Sequence, residues 1–453
     1  MTMEPRYVRP DPAIPASWPI GDPYLRQAEA ALPAVTYQQI FRDPRLQTLI
    51  VQALANNRDL QVAAANIAAA RAQYRIQRAG QLPEVDASAR ASVTGDKSST
   101  VAAQYSAGVG VNAFELDLFG RLRSLSHVQL NRYFATESAA RATRLTLVAD
   151  IADAWLNHAA DRSLLLVSEE TAQSAEKSVR LTSLRLQGGI APRTDLRQAE
   201  QILTQAQADL AQQRTAVAQD VNALQLLVGA PIDPRLLAGS IDEAFGTIAE
   251  LPAGLDSYVL LRRPDVVEAE YQLRAANAQI GAARAALFPR ISLTGLLGLT
   301  STALTKLLTA GAFGWTASAD ANYAIFQGGA GRANVRLSEA QRNAAVATYQ
   351  KAIQTAFREV ADALARRGTI NDELGARNRQ KAAAADYYLL TEARYKAGVD
   401  PYLTSLDAQR TYYSAQRILI LTKLTAAQNL VDLYRTLGGD SLLQAAPVTP
   451  VTG

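Results

Sequence analysis

The chain has 453 residues, no cysteine and a net charge of +4 at pH 7, and it is 48% apolar but only 6% aromatic. Disulfides, thiol catalysis and cysteine-ligated metals are therefore excluded, and the scattered basic residues lack the concentrated stripe of a nucleic-acid surface. Apolar content carried by alanine and leucine favours long helices over an aromatic core.

The first 40 residues read as an N-terminal extended segment with no basic-then-apolar signal region, so the sequence is that of a cytoplasmic protein or of a processed form. Residues 41–229 form a first repeat. Its opening helix, which includes Asp59 to Ala79, should stop at Leu82-Pro83, because proline removes a backbone donor and pushes its predecessor out of helical space. A β-hairpin follows at about 84–115. Val85, Ala87, Ala89, Ala91 and Val93 alternate with polar residues; after a tip at Asp96 to Thr100, Tyr105, Ala107, Val109 and Val111 do the same. The alternation is expected to continue through Phe114, Glu115 and Leu116. A long helical hairpin then runs over about 121–228. Arg121 to Gln187 contains neither proline nor glycine, which would be ~100 Å of helix. Gly188-Gly189 and Pro192 punctuate it before the chain returns from Thr194 to Val228.

A linker or equatorial segment, 230–256, leads to a second repeat over 257–438, and 439–453 is a C-terminal tail. The second repeat has the same order: a helix to Ala285, a stop near Leu287 before Phe288-Pro289, a hairpin at about 290–326, and a helical hairpin at about 332–437. Trp315, Ala317, Ala319, Ala321 and Tyr323 alternate with Thr316, Ser318, Asp320 and Asn322. The copies share Asp59/Asp265, Ala70/Ala276, Gln73/Gln279, Arg78/Arg284, Gly189/Gly398 and Pro192/Pro401. Self-similarity of this kind governs the whole architecture.

No segment reaches the ~18 apolar residues of a spanning helix; the charge-free run Ile291 to Thr305 is broken by Gly295 and Gly298. The strands, however, have the ~10-residue length of tilted transmembrane strands, and Trp315 and Tyr323 sit near the ends of one apolar face, where membrane interfaces place aromatics. Four strands cannot close a barrel, and open edges cannot face lipid. Two or three chains must pool hairpins, giving eight or twelve strands. Pro83 and Pro289 are then the helix-to-strand junctions.

The blocks Leu261 to Gly298 and Gly398 to Arg410, and the start Pro5 to Pro10, resemble the TolC-type outer-membrane efflux channels, particularly the OprM-like subgroup. That resemblance covers essentially the whole chain. It implies a mixed α and β fold: as a homotrimer, a 12-stranded transmembrane β-barrel continued by a long periplasmic α-helical barrel. It also implies an outer-membrane location extending into the periplasm, embedded in outer-membrane lipid, with a periplasmic adaptor protein and an inner-membrane efflux pump as partners. The subgroup carries lipid on a cysteine ahead of the Pro5 to Pro10 motif. This sequence has Met1-Thr2-Met3 there, and the favoured expectation is a sequence that begins after the acylated residue.

Chemistry is sparse. Gly108 to Ala113 fits a G-x-G-x-x-A pattern but continues as strand instead of opening a helix, and Gly328 to Ala333 lacks the Lys-Ser/Thr of a phosphate loop. His127 and His158 lie far apart in a helical region and are expected to be packed or surface residues rather than a metal pair. No cofactor or metal site is expected, and the chain is not expected to be an enzyme. Leu403, Asp407 and Arg410 are spaced i, i+4, i+7 on one helix face. In the resembling family the matching positions line the constriction of the periplasmic end, so these residues are expected to gate. Asp195, with Tyr395 or Lys396, is expected to lock the closed tip. The tips Gly189, Ile190, Ala191, Pro192 and Gly398, Val399, Asp400, Pro401 are expected adaptor contacts. The function expected is a passive exit duct of a tripartite efflux system; a type I protein-secretion duct and a soluble coiled-coil scaffold are the alternatives.

Overall fold

A computed structural model describes residues 2–12, 14, 36–95, 101–250 and 257–439. The hairpin tip at 96–100, part of the linker and residues 440–453 of the tail lie outside it. In chain order the elements are α1 (Tyr37–Ile40), α2 (Pro44–Asn56), α3 (Arg58–Ala79), β1 (Val85–Gly95), β2 (Val101–Glu115), α4 (Arg121–Gln187), α5 (Arg193–Val228), α6 (Ile241–Phe245), α7 (Pro264–Ala285), β3 (Arg290–Ser301), β4 (Phe313–Asn322), α8 (Ala330–Lys396) and α9 (Tyr402–Thr436). The duplication is visible in the lengths. Helices α3 and α7 both have 22 residues, and α4 and α8 both have 67. None of the described helices is long and apolar enough to cross a membrane.

The chain divides into two compact units, and each takes part of both repeats. The first comprises residues 1–12, 65–139 and 267–352. It contains one antiparallel sheet in the order β1-β2-β3-β4. Each hairpin pairs with itself, from Val85↔Val111 to Gly95↔Val101 and from Arg290↔Asn322 to Leu299↔Phe313. The hairpins join through β2 and β3, from Tyr105↔Ser301 to Val111↔Gly295. Pairing carries one apolar row across all four strands, Ala87–Val109–Leu297–Trp315. That row is open: Val109, Leu297 and Trp315 are 50%, 58% and 71% exposed. On the other face Gly108 lies opposite Gly298, and a Cβ on either would come within 2.8 Å of a carbonyl oxygen on the facing strand.

Two expectations change here. The alternation of β2 does not run unbroken to Leu116, because the register with β3 shifts between Val111 and Phe114 and Ala113 has φ 49°. A bulge of this kind reverses which face later residues occupy. The last strand ends at Asn322, not near 326: its final partner is Arg290, and the preceding Pro289 has no N–H to offer.

The junctions follow the proline rule. At the end of α7, Leu287 and Phe288 donate to Arg284 and Ala285 at 3.1 Å, a tightened last turn, and Pro289 follows. Phe288 stacks on Phe119 at 4.7 Å between ring centroids. Glu115 at the end of β2 accepts from Arg121 at 2.7 Å and pairs with Arg290 at 3.3 Å. Asp117 caps α4 by accepting from the Leu122 and Arg123 amides at 3.0 and 2.9 Å.

The N-terminal segment is a strap along α7. Asn277 donates to the Pro5 carbonyl at 2.8 Å, Tyr7 and Arg9 both bond Glu270, and His127 pairs with Glu4 at 3.0 Å. The close approach needs Gly281, because a Cβ there would lie 2.9 Å from the Glu4 Cα.

The second unit, residues 13–64, 140–266 and 353–453, is built on fully buried Ile151, Trp155, Leu156, Leu224, Ile241 and Tyr434. Segment 230–250 is more than a linker. It carries a 3₁₀ turn at Pro234–Leu236 and α6, and Ile248 bridges to Phe41. Trp155 Nε1 donates to the Leu236 carbonyl at 3.0 Å. Arg263 is buried and bonds Asp265, Glu359 and the Thr436 carbonyl at 2.8, 2.8 and 2.9 Å. His158 is buried, and burial lowers its pKa.

The open apolar row generates a test. Ala317→Asp or Ala319→Asp places a charge on the apolar face and should impair membrane assembly, because a charge near the bilayer midplane costs about 2–4 kcal/mol. Ser318→Asp, on the other face, should be mild. Heat-resistant assembly in the outer-membrane fraction measures both; equal effects would mean the faces are misassigned.

Candidate functional site

The candidate residues gather in the second unit, where α4 turns into α5 and α8 into α9. Both turns have one construction. At the end of α4, Gly189 donates to the Leu186 carbonyl at 3.0 Å and Ile190 to Arg185 at 2.8 Å; at the end of α8, Gly398 donates to Tyr395 at 3.0 Å and Val399 to Arg394 at 2.9 Å. These are Schellman motifs, which need a left-handed residue at the position after the cap. Gly189 and Gly398 supply it, at φ 70° and 76°. Pro192 and Pro401 are the extended N-caps of the returning helices. A Schellman turn usually folds its next apolar residue back onto its own helix. Here Ile190 and Val399 stay 73% and 61% exposed.

Below the turns sits a small apolar core of Ala199, Tyr395, Tyr402 and Leu406, lined by Val179, Leu181 and Ile202. Tyr395 and Tyr402 pack with ring centroids 5.2 Å apart. Arg185 ties the two turns together: Nη1 donates to the Tyr395 carbonyl at 3.1 Å, and its guanidinium carbon lies 4.6 Å from the centre of the Tyr395 ring. A cation at the last carbonyls of α8 also complements that helix dipole. Arg394 grips Asp400 through two hydrogen bonds of 2.6 and 2.9 Å, and this pairing holds the Asp400 carboxyl below the usual carboxylate range. Deeper, Gln409 donates to Ser174 at 3.0 Å, and Tyr388 stacks on Tyr412 at 6.1 Å.

The sequence-derived gate residues divide into two groups. Leu403, Asp407 and Arg410 form an exposed stripe on α9, while Tyr402, Ser405, Leu406, Ala408 and Gln409 between them are buried. The stripe thus points away from everything its own chain packs there. The residues of the expected lock are placed differently. Lys396 pairs with Glu392 of its own helix at 2.9 Å. Tyr395 is buried, and its hydroxyl has no hydrogen-bond partner. Asp195, in the first turn of α5, acts electrostatically on Tyr402, whose pKa is pushed up to about 12, mainly by burial. Sequence reasoning does not single out Tyr402 or Arg185. The Tyr-Leu spacing of 402 and 406 signals a buried face, whereas nothing local marks Arg185, whose partner lies in the other repeat.

Among the described residues no group of carboxylates, histidines or cysteines could hold a metal ion. What the tips offer is mechanical: two rigid turns, an exposed apolar residue on each, and a mixed apolar and charged stripe beside them.

Together with an open apolar sheet, this is the arrangement of an outer-membrane channel. The outer membrane efflux protein family model matches residues 49–230 and 256–439, once for each repeat. The antibiotic efflux pump outer membrane protein ArpC of Pseudomonas putida is 44% identical over 446 residues, spanning 96% of this chain and 92% of that protein. The toluene efflux pump outer membrane protein TtgC of Pseudomonas putida matches to the same extent. The crystal structure of the open state of the Neisseria gonorrhoeae MtrE outer membrane channel aligns with a TM-score of 0.87 and 36% identity, over 97% of this chain and 98% of that one. The chain belongs to the outer membrane efflux protein family.

Tyr395 provides a stability test. An unpartnered buried hydroxyl costs about 1–3 kcal/mol, so Tyr395→Phe should leave the thermal unfolding midpoint unchanged or raised. Tyr395→Ala opens a cavity costing about 3–5 kcal/mol of stability and should lower the midpoint. A clear loss in the phenylalanine variant would mean that the hydroxyl finds a partner in the assembled protein.

Proposed function

We propose that the chain is the exit duct of a tripartite efflux system. Three copies pool twelve strands in the outer membrane, and their long helices form a periplasmic tunnel. The duct has no energy source and no catalytic step; an inner-membrane pump supplies drive, and a periplasmic adaptor docks on the Ile190 and Val399 turns. The cargo is antibiotics or aromatic solvents such as toluene, the classes named for its relatives. The observation that carries this reading is the open row Ala87–Val109–Leu297–Trp315, because a contiguous exposed apolar patch marks a protein or membrane contact.

The proposed gate is the α9 stripe. Around a threefold axis, three Leu403 and three Asp407 side chains would narrow the periplasmic end to an apolar and anionic ring, with Arg410 one turn on. Asp195, beside the Tyr395–Tyr402 core, with Tyr395 or Lys396, would pin neighbouring tips. Each exposed contact contributes about 0.2–1 kcal/mol, repeated three times. A sum of that size can be overcome by an adaptor that binds the open arrangement more tightly.

Single-channel conductance in planar bilayers tests the gate. Leu403→Ala with Asp407→Ala, and separately Asp195→Ala with Tyr395→Phe, should raise conductance or open probability and admit large antibiotics to cells. Unchanged conductance in both would return these residues to a solvated helix end.

A further inference from the structure

The internal duplication predicts how one copy meets the next, residue by residue. Pro83 corresponds to Pro289, so β1 maps onto β3 with Val85 at Ile291 and Arg90 at Leu296. The hairpin registers then map β2 onto β4. Ala91 pairs with Tyr105 and Leu297 with Trp315, so Tyr105 corresponds to Trp315, Gly108 to Ser318 and Gly110 to Asp320. Within the chain, β2 of the first repeat pairs with β3 of the second, placing Gly108 opposite Gly298 and Gly110 opposite Leu296. Strands β4 and β1 are left as the free edges of the sheet.

We propose that β4 of one copy pairs with β1 of the next in the register that β2 and β3 already use, so that Asp320 faces Arg90 and Ser318 faces Ser92 across the seam. This rests on the proposed barrel and specifies how it closes. Three independent features of the chain fit that register. First, it brings the one acidic residue of β4 opposite the one basic residue of β1, although the duplicated positions in the chain, Gly110 and Leu296, carry no charge. Opposite charges directly across an antiparallel pair are favourable and like charges are not. Second, it keeps the faces consistent: Ala317 meets Val93 and Ala319 meets Ala91 on the apolar side. Third, the contact flanking the strands has an unfilled counterpart. Phe119, after β2, stacks on Phe288, before β3. The matching residues are Phe326, after β4, in Ile-Phe-Gln-Gly-Gly against Leu-Phe-Gly, and Leu82, before β1. They are 89% and 69% exposed, so the same contact is open to form between copies. A head-to-tail contact of this kind repeats around a closed ring.

Because the chain lacks cysteine, disulfide trapping reads the register without background. The full-length protein in detergent is oxidised and run without reductant. Ser318→Cys with Ser92→Cys should give predominantly covalent trimer, since directly opposed Cβ atoms lie within about 4.5–5.5 Å, near disulfide reach. Ser318→Cys paired with Ser88→Cys or with Thr94→Cys should give several-fold less. In parallel, Asp320→Arg should lower the trimer fraction about threefold or more by facing two cations, and adding Arg90→Asp should restore it. Maximal trapping at Ser88 or Thr94, or a charge-swapped double variant no better than the single one, would overturn the register while leaving the trimer intact. A parent protein that is monomeric in detergent would overturn the barrel and the seam together.

Discussion

Hydrocarbon offers no hydrogen-bond partner to a peptide group, and that constraint organises this chain. A strand in lipid must find both neighbours or leave N–H and C=O groups unpaired at several kcal/mol each. The four described strands satisfy this internally at three interfaces and leave β4 and β1 open. A sheet with two free edges, an exposed apolar row and no spanning helix among the described residues can be stable in a membrane only by joining copies of itself. The oligomer is thus a condition of the fold. The apolar side chains of the strands range from alanine and valine to Tyr105 and Phe114 in the first hairpin and to leucine, phenylalanine and tryptophan in the second. The row has to cover lipid-facing area without knitting a core of its own.

Duplication solves the entry problem twice with one grammar. Each repeat passes from helix to strand at a hydrophobe-proline pair, and each long helix ends in a glycine turn of the same hydrogen-bonded form. The copies diverge where identical parts would not serve. β2 carries a bulge before Phe114 and β4 does not. The charged stripe on α9 corresponds to Thr194, Gln198 and Gln201 in the first copy, which carry no charge. The strap lies along α7 and not along its counterpart α3: Gly281 lets the backbone approach, whereas α3 has Arg75 at the corresponding position.

What is legible in the sequence is whatever local chemistry dictates. Arg121 to Gln187 has to be one helix, since nothing in it can break one, and the structure ends it at Gln187 before Gly188. Alternation places the strands and their faces as far as Val111. The rest depends on partners far along the chain. The bulge arises from how β2 meets β3, some 180 positions away, as in the Ala113 amide donating to Thr294 at 3.1 Å. After Asn322 the sequence stays apolar through Tyr323, Ala324, Ile325 and Phe326, yet β4 ends at Asn322, where its partner strand begins after Pro289. The Lys396 pair with Glu392 is a local one, since an i, i+4 pair forms without ordering a second segment. Arg185 is invisible because its role is defined by a carbonyl of the other repeat.

The two ends of the mechanism need different kinds of interaction, and the chain supplies them. Strand pairing in lipid is close to irreversible, since every separated backbone pair would be exposed to hydrocarbon, so the sheet is unsuited to gating. The tips have opposite properties. Their internal order is secured by interactions that need not change, namely the Schellman turns, the buried tyrosine pair and the Arg185 tie. What faces outward is an exposed stripe whose contacts are individually weak in water. A tip built this way can move as a rigid piece against its neighbours, exchanging only the weak contacts. For the proposed gate, opening would then require a few kcal/mol of differential adaptor binding, while the strands that hold the duct in the membrane stay paired throughout.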